Sequence, residues 1–174
     1  MEFDYIVVGA GSAGCAVANR LSQCGNFLVA LIEAGPSDNS PWIHVPVGYY
    51  RTMGNPKSDW CYRTQSDEGI AGRSIPWPRG KVMGGSSSIN GLLYVRGQPR
   101  DFDIWSQLGC TGWSWDEVLP YFKRSENWDG IDETGLRGKD GPLSVQSARL
   151  KRDIVDHWVD AAVSAGYQRN YDYN

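Results

Sequence analysis

Histidine is scarce in this chain: His44 and His157 are the only two in 174 residues. Imidazole is the side chain whose charge changes near neutrality, so the chain holds little of the usual general-base material. Four cysteines, Cys15, Cys24, Cys61 and Cys110, show no C-x-x-C or other metal-like spacing. They are expected to be reduced and buried, with no metal among the cofactors. Neither sign of charge dominates, and a net charge of −3 offers no basic surface for nucleic acid or anionic lipid. No apolar run approaches the ~18 residues that span a bilayer. No basic stretch followed by an apolar one opens the chain, so no signal peptide is expected. Apolar content of 41% with 21% charged is ordinary for a globular protein, and the length suits one domain, or one plus part of another.

Glycine, by contrast, is abundant, with 21 residues, and it is concentrated in two places that matter. Tyr5 to Val8 is a short apolar, β-branched run that reads as a buried strand. Gly9, Gly11 and Gly14 follow it in the pattern G-x-G-x-x-G. The first glycine permits a tight turn, the second lets backbone approach a pyrophosphate, and the third lets a helix pack against the strand. Cys15 to Gln23 carries apolar residues at helical spacing, so that helix would aim its N-terminal N–H groups at the phosphates. Phe27 to Ile32 reads as a second strand, and Glu33 just beyond it is placed to accept hydrogen bonds from a ribose diol. The acid would repel the 2′-phosphate of NADP, which leaves NAD and FAD. Residues 1–35 are therefore expected to form a βαβ dinucleotide unit.

Residues 36–78 are rich in proline and glycine, which breaks regular elements and marks an excursion too long for a simple connection. Trp42, Tyr49, Tyr50, Trp60, Tyr62 and Trp77 are expected to pin it to the domain. The second glycine segment, residues 79–97, contains Gly84-Gly85 and then Ser86, Ser87 and Ser88, a bare backbone suited to close approach of a ligand. The apolar run Leu92 to Val95 reads as the start of a buried helix. Residues 98–174 turn helical. One helix is expected over Asp101 to Leu108. A second is opened by the capping box Ser114-x-x-Glu117, with Pro120 near its first turn. Asn127 to Gly141 reads as a surface loop, Pro142 to Val145 as a short strand, and Lys151 to Ala165 as a last helix closed by Gly166.

Taken together, the two glycine segments resemble those of the glucose–methanol–choline (GMC) oxidoreductases, flavoproteins that oxidise alcohols. The resemblance continues through Asp59-Trp-Cys-Tyr-Arg-Thr64, Asp101-Phe-Asp-Ile-Trp105, Trp113-Ser-Trp115, Leu119 to Ser125, Asp140-Gly-Pro-Leu-Ser144 and Tyr171 to Asn174. It is nearest the choline dehydrogenase and alcohol dehydrogenase branch. It implies an α/β fold: a Rossmann-like FAD-binding domain whose doubly wound parallel sheet is incomplete here, with loop-rich and helical insertions. It also selects FAD over NAD. By that resemblance, Gly9, Gly11, Ser12, Ala13 and Gly14 match the pyrophosphate site, and Glu33 with Ala34 the adenosine ribose. Val82, Gly84, Gly85 and Ser86 match the segment over the middle of FAD. Asn90, Gly91, Leu92 and Leu93 match the segment at the isoalloxazine edge. Some relatives attach flavin through a histidine in this second motif, where Ile89 and Asn90 stand here, so the expected FAD is non-covalent.

The same resemblance places the catalytic histidine and its His or Asn partner late in a longer chain, so no catalytic residue is expected within residues 1–174. The implied reaction is oxidation of a CH–OH group by hydride transfer to flavin N5. Its partners would be a small-molecule alcohol and an electron acceptor, quinone or oxygen. A cytoplasmic location is expected, and peripheral association with the inner membrane would suit a dehydrogenase feeding quinone. A truncated dinucleotide module without turnover, a related flavoprotein lyase and an NAD-dependent dehydrogenase are the alternative readings.

Overall fold

In the computed structural model, which describes residues 2–172, the first apolar run forms β1 (Tyr5–Val8). It pairs in parallel with β2 (Val29–Ile32), from Tyr5 opposite Val29 to Val8 opposite Ile32, and α1 (Ser12–Ser22) makes the crossover. The helix starts three residues before the expected Cys15, because Gly11 already adopts the extended N-cap conformation. Phe27 lies outside β2 and packs edge-on against Tyr5 instead, with ring centroids 5.1 Å apart. Parallel strands are normally covered on both faces. Here Ile6, Val8 and Ile32 of the two-stranded pair are exposed.

Two compact units divide the chain, Met1–Leu93 and Tyr94–Asn174. In the first, the excursion after β2 contains two single-turn helices, α2 (Pro41–His44) and α3 (Tyr49–Thr52). A short antiparallel ribbon of β3 (Tyr62–Arg63) and β4 (Pro76–Trp77) follows. Its aromatic residues do not pin it by burial: Trp42, Tyr50, Trp60, Tyr62 and Trp77 are all exposed. They stack within the excursion, as Trp60 does on Tyr62 with planes 3° apart. Several carry a cation, Lys81 over Trp60 at 4.7 Å and Arg79 over Trp77 at 5.2 Å.

The expected buried helix from Leu92 does not form. Residues 91–98 are irregular, and Leu92, Leu93 and Val95 are exposed. Leu92 sits at φ +61°, outside the helical region, and its N–H bonds the Asn90 Oδ1 at 2.9 Å. The left-handed φ at Leu92 turns the chain away from a helix at the residue where one was expected to begin.

The second unit contains α4 (Pro99–Gln107), α5 (Trp115–Ser125), β5 (Glu126–Trp128), β6 (Leu143–Val145) and α6 (Asp153–Ser164). Both α4 and α5 begin with capping boxes, Gln98 with Asp101 and Ser114 with Glu117. Phe102, 8% exposed, contacts the rings of Trp105, Trp115 and Phe122. Pro120 is the sixth residue of α5, deeper than its first turn, so the Asp116 carbonyl lacks the usual i+4 N–H donor.

The expected surface loop from Asn127 instead starts with a strand. β5 runs parallel to β6, from Glu126 opposite Leu143 to Trp128 opposite Val145. Glu126 is completely buried, and two arginines make that possible. Its carboxylate accepts from Arg96 Nη2 at 2.5 Å, Arg137 Nη1 at 2.8 Å and the Gly138 N–H at 2.8 Å. Arg137 in turn reaches Asp172 with Nε at 2.9 Å and Nη2 at 2.5 Å. Helix α6 buries no residue, and Ile154, Val155 and Trp158 face solvent. Of the Tyr171–Asn174 motif, Tyr173 and Asn174 lie outside the described residues. No described helix is long and apolar enough to cross a membrane.

Candidate functional site

The site starts at the turn between β1 and α1. Gly9 takes φ +94°, a conformation that side chains rarely adopt, and its N–H bonds the Ile32 carbonyl at 2.7 Å. Gly11 caps α1 without a side chain to offer, and the first helical turn contains no acid. The first intrahelical bond runs from the Cys15 N–H to the Gly11 carbonyl at 2.9 Å. The preceding N–H groups, of Ser12, Ala13 and Gly14, are the ones an α-helix leaves for an external acceptor. Gly14 is required for packing, since a Cβ there would lie 1.9 Å from the Gly9 carbonyl oxygen.

Glu33 does a job that its spacing alone does not reveal. Its Oε2 accepts the Ala10 N–H at 2.8 Å and its Oε1 the Gly35 N–H at 2.9 Å. The carboxylate thus ties the glycine turn to the end of β2, and each oxygen keeps a further lone pair for a ligand hydroxyl. Ala34 beside it is exposed.

The second glycine segment closes onto the first. Gly11 and Gly84 form a parallel bridge, and the Gly84 N–H bonds the Ala10 carbonyl at 2.8 Å. Gly85, at φ +61°, approaches so closely that its Cβ would stand 2.8 Å from the Gly11 Cα. At Gly35 a Cβ would come within 2.0 Å of the Lys81 carbonyl oxygen. Val82, only 1% exposed, anchors this approach. Ser87 and Ser88 donate to the Gly84 and Met83 carbonyls at 2.6 and 2.7 Å, while Ser86 Oγ accepts the Gly80 N–H at 3.0 Å. The serines therefore shape their own loop. Asn90, Gly91, Leu92 and Leu93 continue from this knot as exposed, irregular backbone.

Asp59 is not among the site residues expected from the sequence. Only 2% exposed, its carboxylate accepts three backbone N–H groups: Cys61 and Arg79 on Oδ1, both at 2.9 Å, and Gly54 on Oδ2 at 2.7 Å. Burial opposes its ionisation, but the bonds from Cys61, Gly54 and Arg79 outweigh that and hold its pKa below the usual aspartate range. Nothing local in the sequence announces a partner 20 positions away.

The histidines and cysteines stand apart from any such arrangement. His44 is exposed, with Nε2 2.7 Å from the Asp38 carbonyl oxygen, and His157 is exposed on α6. All four cysteines are free as expected, but only Cys15 is even partly buried; Cys24, Cys61 and Cys110 are exposed. The described residues contain no group of His, Cys, Asp and Glu able to hold a metal.

A GMC oxidoreductase family model matches residues 3–174. The oxygen-dependent choline dehydrogenase of Vibrio vulnificus (strain YJ016) is 47% identical over 176 aligned positions, which cover 99% of this chain and 31% of that protein. The chain thus spans about a third of the length of the curated relatives it matches. Among solved structures, pyridoxine 4-oxidase from Mesorbium loti superposes with a TM-score of 0.91 at 37% identity, over 99% of this chain and 34% of that one. An FAD-dependent oxidoreductase from Chaetomium thermophilum gives 0.81 at 28% identity, over 95% and 30%.

Proposed function

This chain belongs to the GMC oxidoreductase family, and on that premise we propose that it supplies the FAD-holding part of an enzyme that oxidises the CH–OH group of a small alcohol. The observation that carries the reading is the knot at Gly11. An uncapped helix N-terminus lies beside a second glycine pair, which reaches it with bare backbone. Such a cradle suits an anionic pyrophosphate, because main-chain N–H groups and the helix dipole meet negative charge without a bulky side chain between.

In this reading the β1–α1–β2 unit is the first part of a Rossmann-like domain. Gly9, Gly11, Ser12, Ala13 and Gly14 hold the pyrophosphate. Glu33 and Ala34 take the adenosine ribose, with Glu33 using the lone pairs that Ala10 and Gly35 leave. Val82, Gly84, Gly85 and Ser86 lie over the middle of the cofactor, and Asn90, Gly91, Leu92 and Leu93 meet the flavin edge. When bound, FAD supplies a hydride acceptor at flavin N5. Attachment is non-covalent, since Ile89 and Asn90 offer no nucleophile of the kind a flavin-linking histidine provides. No side chain among residues 1–174 is assigned as base. His44 faces a backbone carbonyl on an exposed loop, and His157 lies exposed on α6. The expected electron acceptor is oxygen or a quinone. The cytoplasm, or the inner membrane's periphery, is the expected place.

Reconstitution with FAD tests this directly. The chain is expected to take up one FAD, with visible absorption bands, and to release all of it to the supernatant on acid precipitation. Flavin retained in the precipitate would overturn the non-covalent assignment, and no uptake would overturn the reading. Residues 1–174 alone are expected to show no alcohol-dependent bleaching of the flavin. Bleaching would show that the chain already contains its base.

A further inference from the structure

We propose that Asp59 is a positioning residue for the cofactor cradle: its carboxylate fixes where the second glycine segment begins, and so where Gly84 and Gly85 meet Gly11. The inference rests on the FAD reading above and assigns a role to a residue outside every stretch read there as binding.

Of the three N–H groups that Asp59 gathers, those of Gly54 and Cys61 are local and that of Arg79 lies 20 positions on. One carboxylate therefore ties the middle of the long excursion to the residue that follows its end. Around it the backbone is stitched into a short ladder. The Trp60 N–H bonds the Arg79 carbonyl at 2.9 Å, and the Lys81 N–H bonds the Ser58 carbonyl at 2.8 Å. Asp59 itself bridges antiparallel to Gly80. Ser58 is held from behind, its hydroxyl donating to the Thr52 carbonyl at 3.1 Å in a buried setting.

From this ladder the chain reaches the cradle within four residues. Gly80 lies against Gly85, where a Cβ would be 2.1 Å from the Gly85 carbonyl oxygen. Lys81 lies against Gly35 in the same way, at 2.0 Å. Backbone packed this closely transmits a displacement instead of absorbing it. A shift at the Arg79 N–H thus arrives at Gly84 and Gly85, and from there at Ala10 and Gly11. The backbone next to Asp59 is also strained: Cys61, which gives one of the three N–H groups, sits at φ +54°. A side chain in that conformation persists only where its surroundings over-determine it.

A carboxylate that merely stabilised a loop would have no special effect on flavin. Asp132, which is less buried, provides a control with the same kind of backbone partners. It accepts the N–H groups of Thr134, Gly135 and Arg137 at 3.1, 2.8 and 3.0 Å, but in the other unit. The test compares Asp59→Asn with Asp132→Asn in the full chain. The readouts are the FAD Kd, the visible circular dichroism of bound flavin, amide hydrogen exchange and Tm.

Asp59→Asn turns one acceptor oxygen into a donor facing an N–H. It is expected to raise the FAD Kd at least about tenfold, alter the flavin dichroism and speed exchange across residues 79–85. Asp132→Asn is expected to leave the Kd within about twofold at a comparable loss of Tm. If Asp59→Asn fails to fold, Asp59→Glu keeps the charge but misplaces it, and the same changes are expected in smaller degree. Wild-type Kd, dichroism and exchange in the Asp59 variant would overturn the inference, as would an equal effect from Asp132→Asn. If the unsubstituted chain takes up no FAD, the functional reading fails, while exchange across 79–85 still decides whether Asp59 fixes that segment.

Discussion

Asp59 and Glu126 are both buried acids, and the two units satisfy them in opposite ways. In Met1–Leu93 the Asp59 carboxylate accepts three main-chain N–H groups. In Tyr94–Asn174 the Glu126 carboxylate is met by Arg96 and Arg137, with one backbone N–H besides. The first arrangement adds no cation and no side-chain bulk, and it goes with a region where backbone touches backbone. The second spends three charged side chains on joining the start of β5 to two distant segments. Each unit is therefore sensitive to a different insult. The first does not tolerate added atoms, and the second does not tolerate a lost charge.

The largest expected effect tests the first half of that contrast. Gly14→Ala places a methyl group 1.9 Å from a backbone oxygen that cannot swing aside. A loss on the order of 4 kcal/mol or more is expected, or failure to fold. Gly91→Ala, with nothing within 4 Å of its Cβ, is expected to be nearly neutral. Urea denaturation followed by circular dichroism measures both, and a stable Gly14→Ala would break the comparison. Next in size, Glu126→Ala removes the buried carboxylate that two guanidinium groups share, although Arg137 keeps Asp172, and is expected to cost about 3–5 kcal/mol. Glu126→Gln keeps the shape and loses the charge, and is expected to forfeit most of the same stability; a nearly neutral Glu126→Gln would mean that volume, not charge, decides in this unit.

How much of this was legible in the sequence follows the range of the interactions. β1, α1 and β2 were readable because a glycine pattern, a period of 3.6 and an apolar run are all local signals. The helix ends at Ser114 and Gly166 were readable for the same reason. β5 is not: Glu126 and Asn127 look like loop residues, and only Arg96 and Arg137, 30 and 11 positions away, let Glu126 be buried at the start of a strand. Leu92 to Val95 misleads in the other direction, since an apolar run suggests burial, whereas Leu92 takes a left-handed φ and is exposed with Leu93 and Val95. Within the candidate site, the glycines were found from their spacing. The contact between Gly11 and Gly84–Gly85 and the hub at Asp59 are long-range facts with no local trace.

A smaller effect is expected at the second unit's surface. Ser114→Ala removes the hydroxyl that caps α5 and is expected to cost about 1 kcal/mol. The cap also has a pH signature. The Ser114 hydroxyl and N–H hold Glu117 below the usual glutamate range. Its contribution is thus complete above the unfolded pKa, near 4.3, and is lost as pH falls through the lower folded value. Stability measured from pH 7 to pH 3 is expected to fall less steeply in Ser114→Ala than in the unsubstituted chain. Equal slopes would show that the cap does not depend on the carboxylate.

The smallest expected change has the sharpest meaning, because stability and binding should move in opposite directions. Leu92 holds φ +61° with its side chain 56% exposed, so little packing compensates the strain. A left-handed conformation costs an L-residue roughly 1–2 kcal/mol. Leu92→Gly removes that cost but loosens the unfolded chain by about 0.4–1 kcal/mol. The balance is a net gain of about 0.5 kcal/mol, measurable by urea denaturation. If this segment meets the flavin edge as proposed, the strain is retained for the shape it gives to Gly91 and Leu93. Leu92→Gly should then weaken FAD binding a few-fold while stabilising the chain. A gain in both would separate the strained residue from the cofactor, and leave the bare-backbone knot at Gly11 as the part of the first unit that FAD requires.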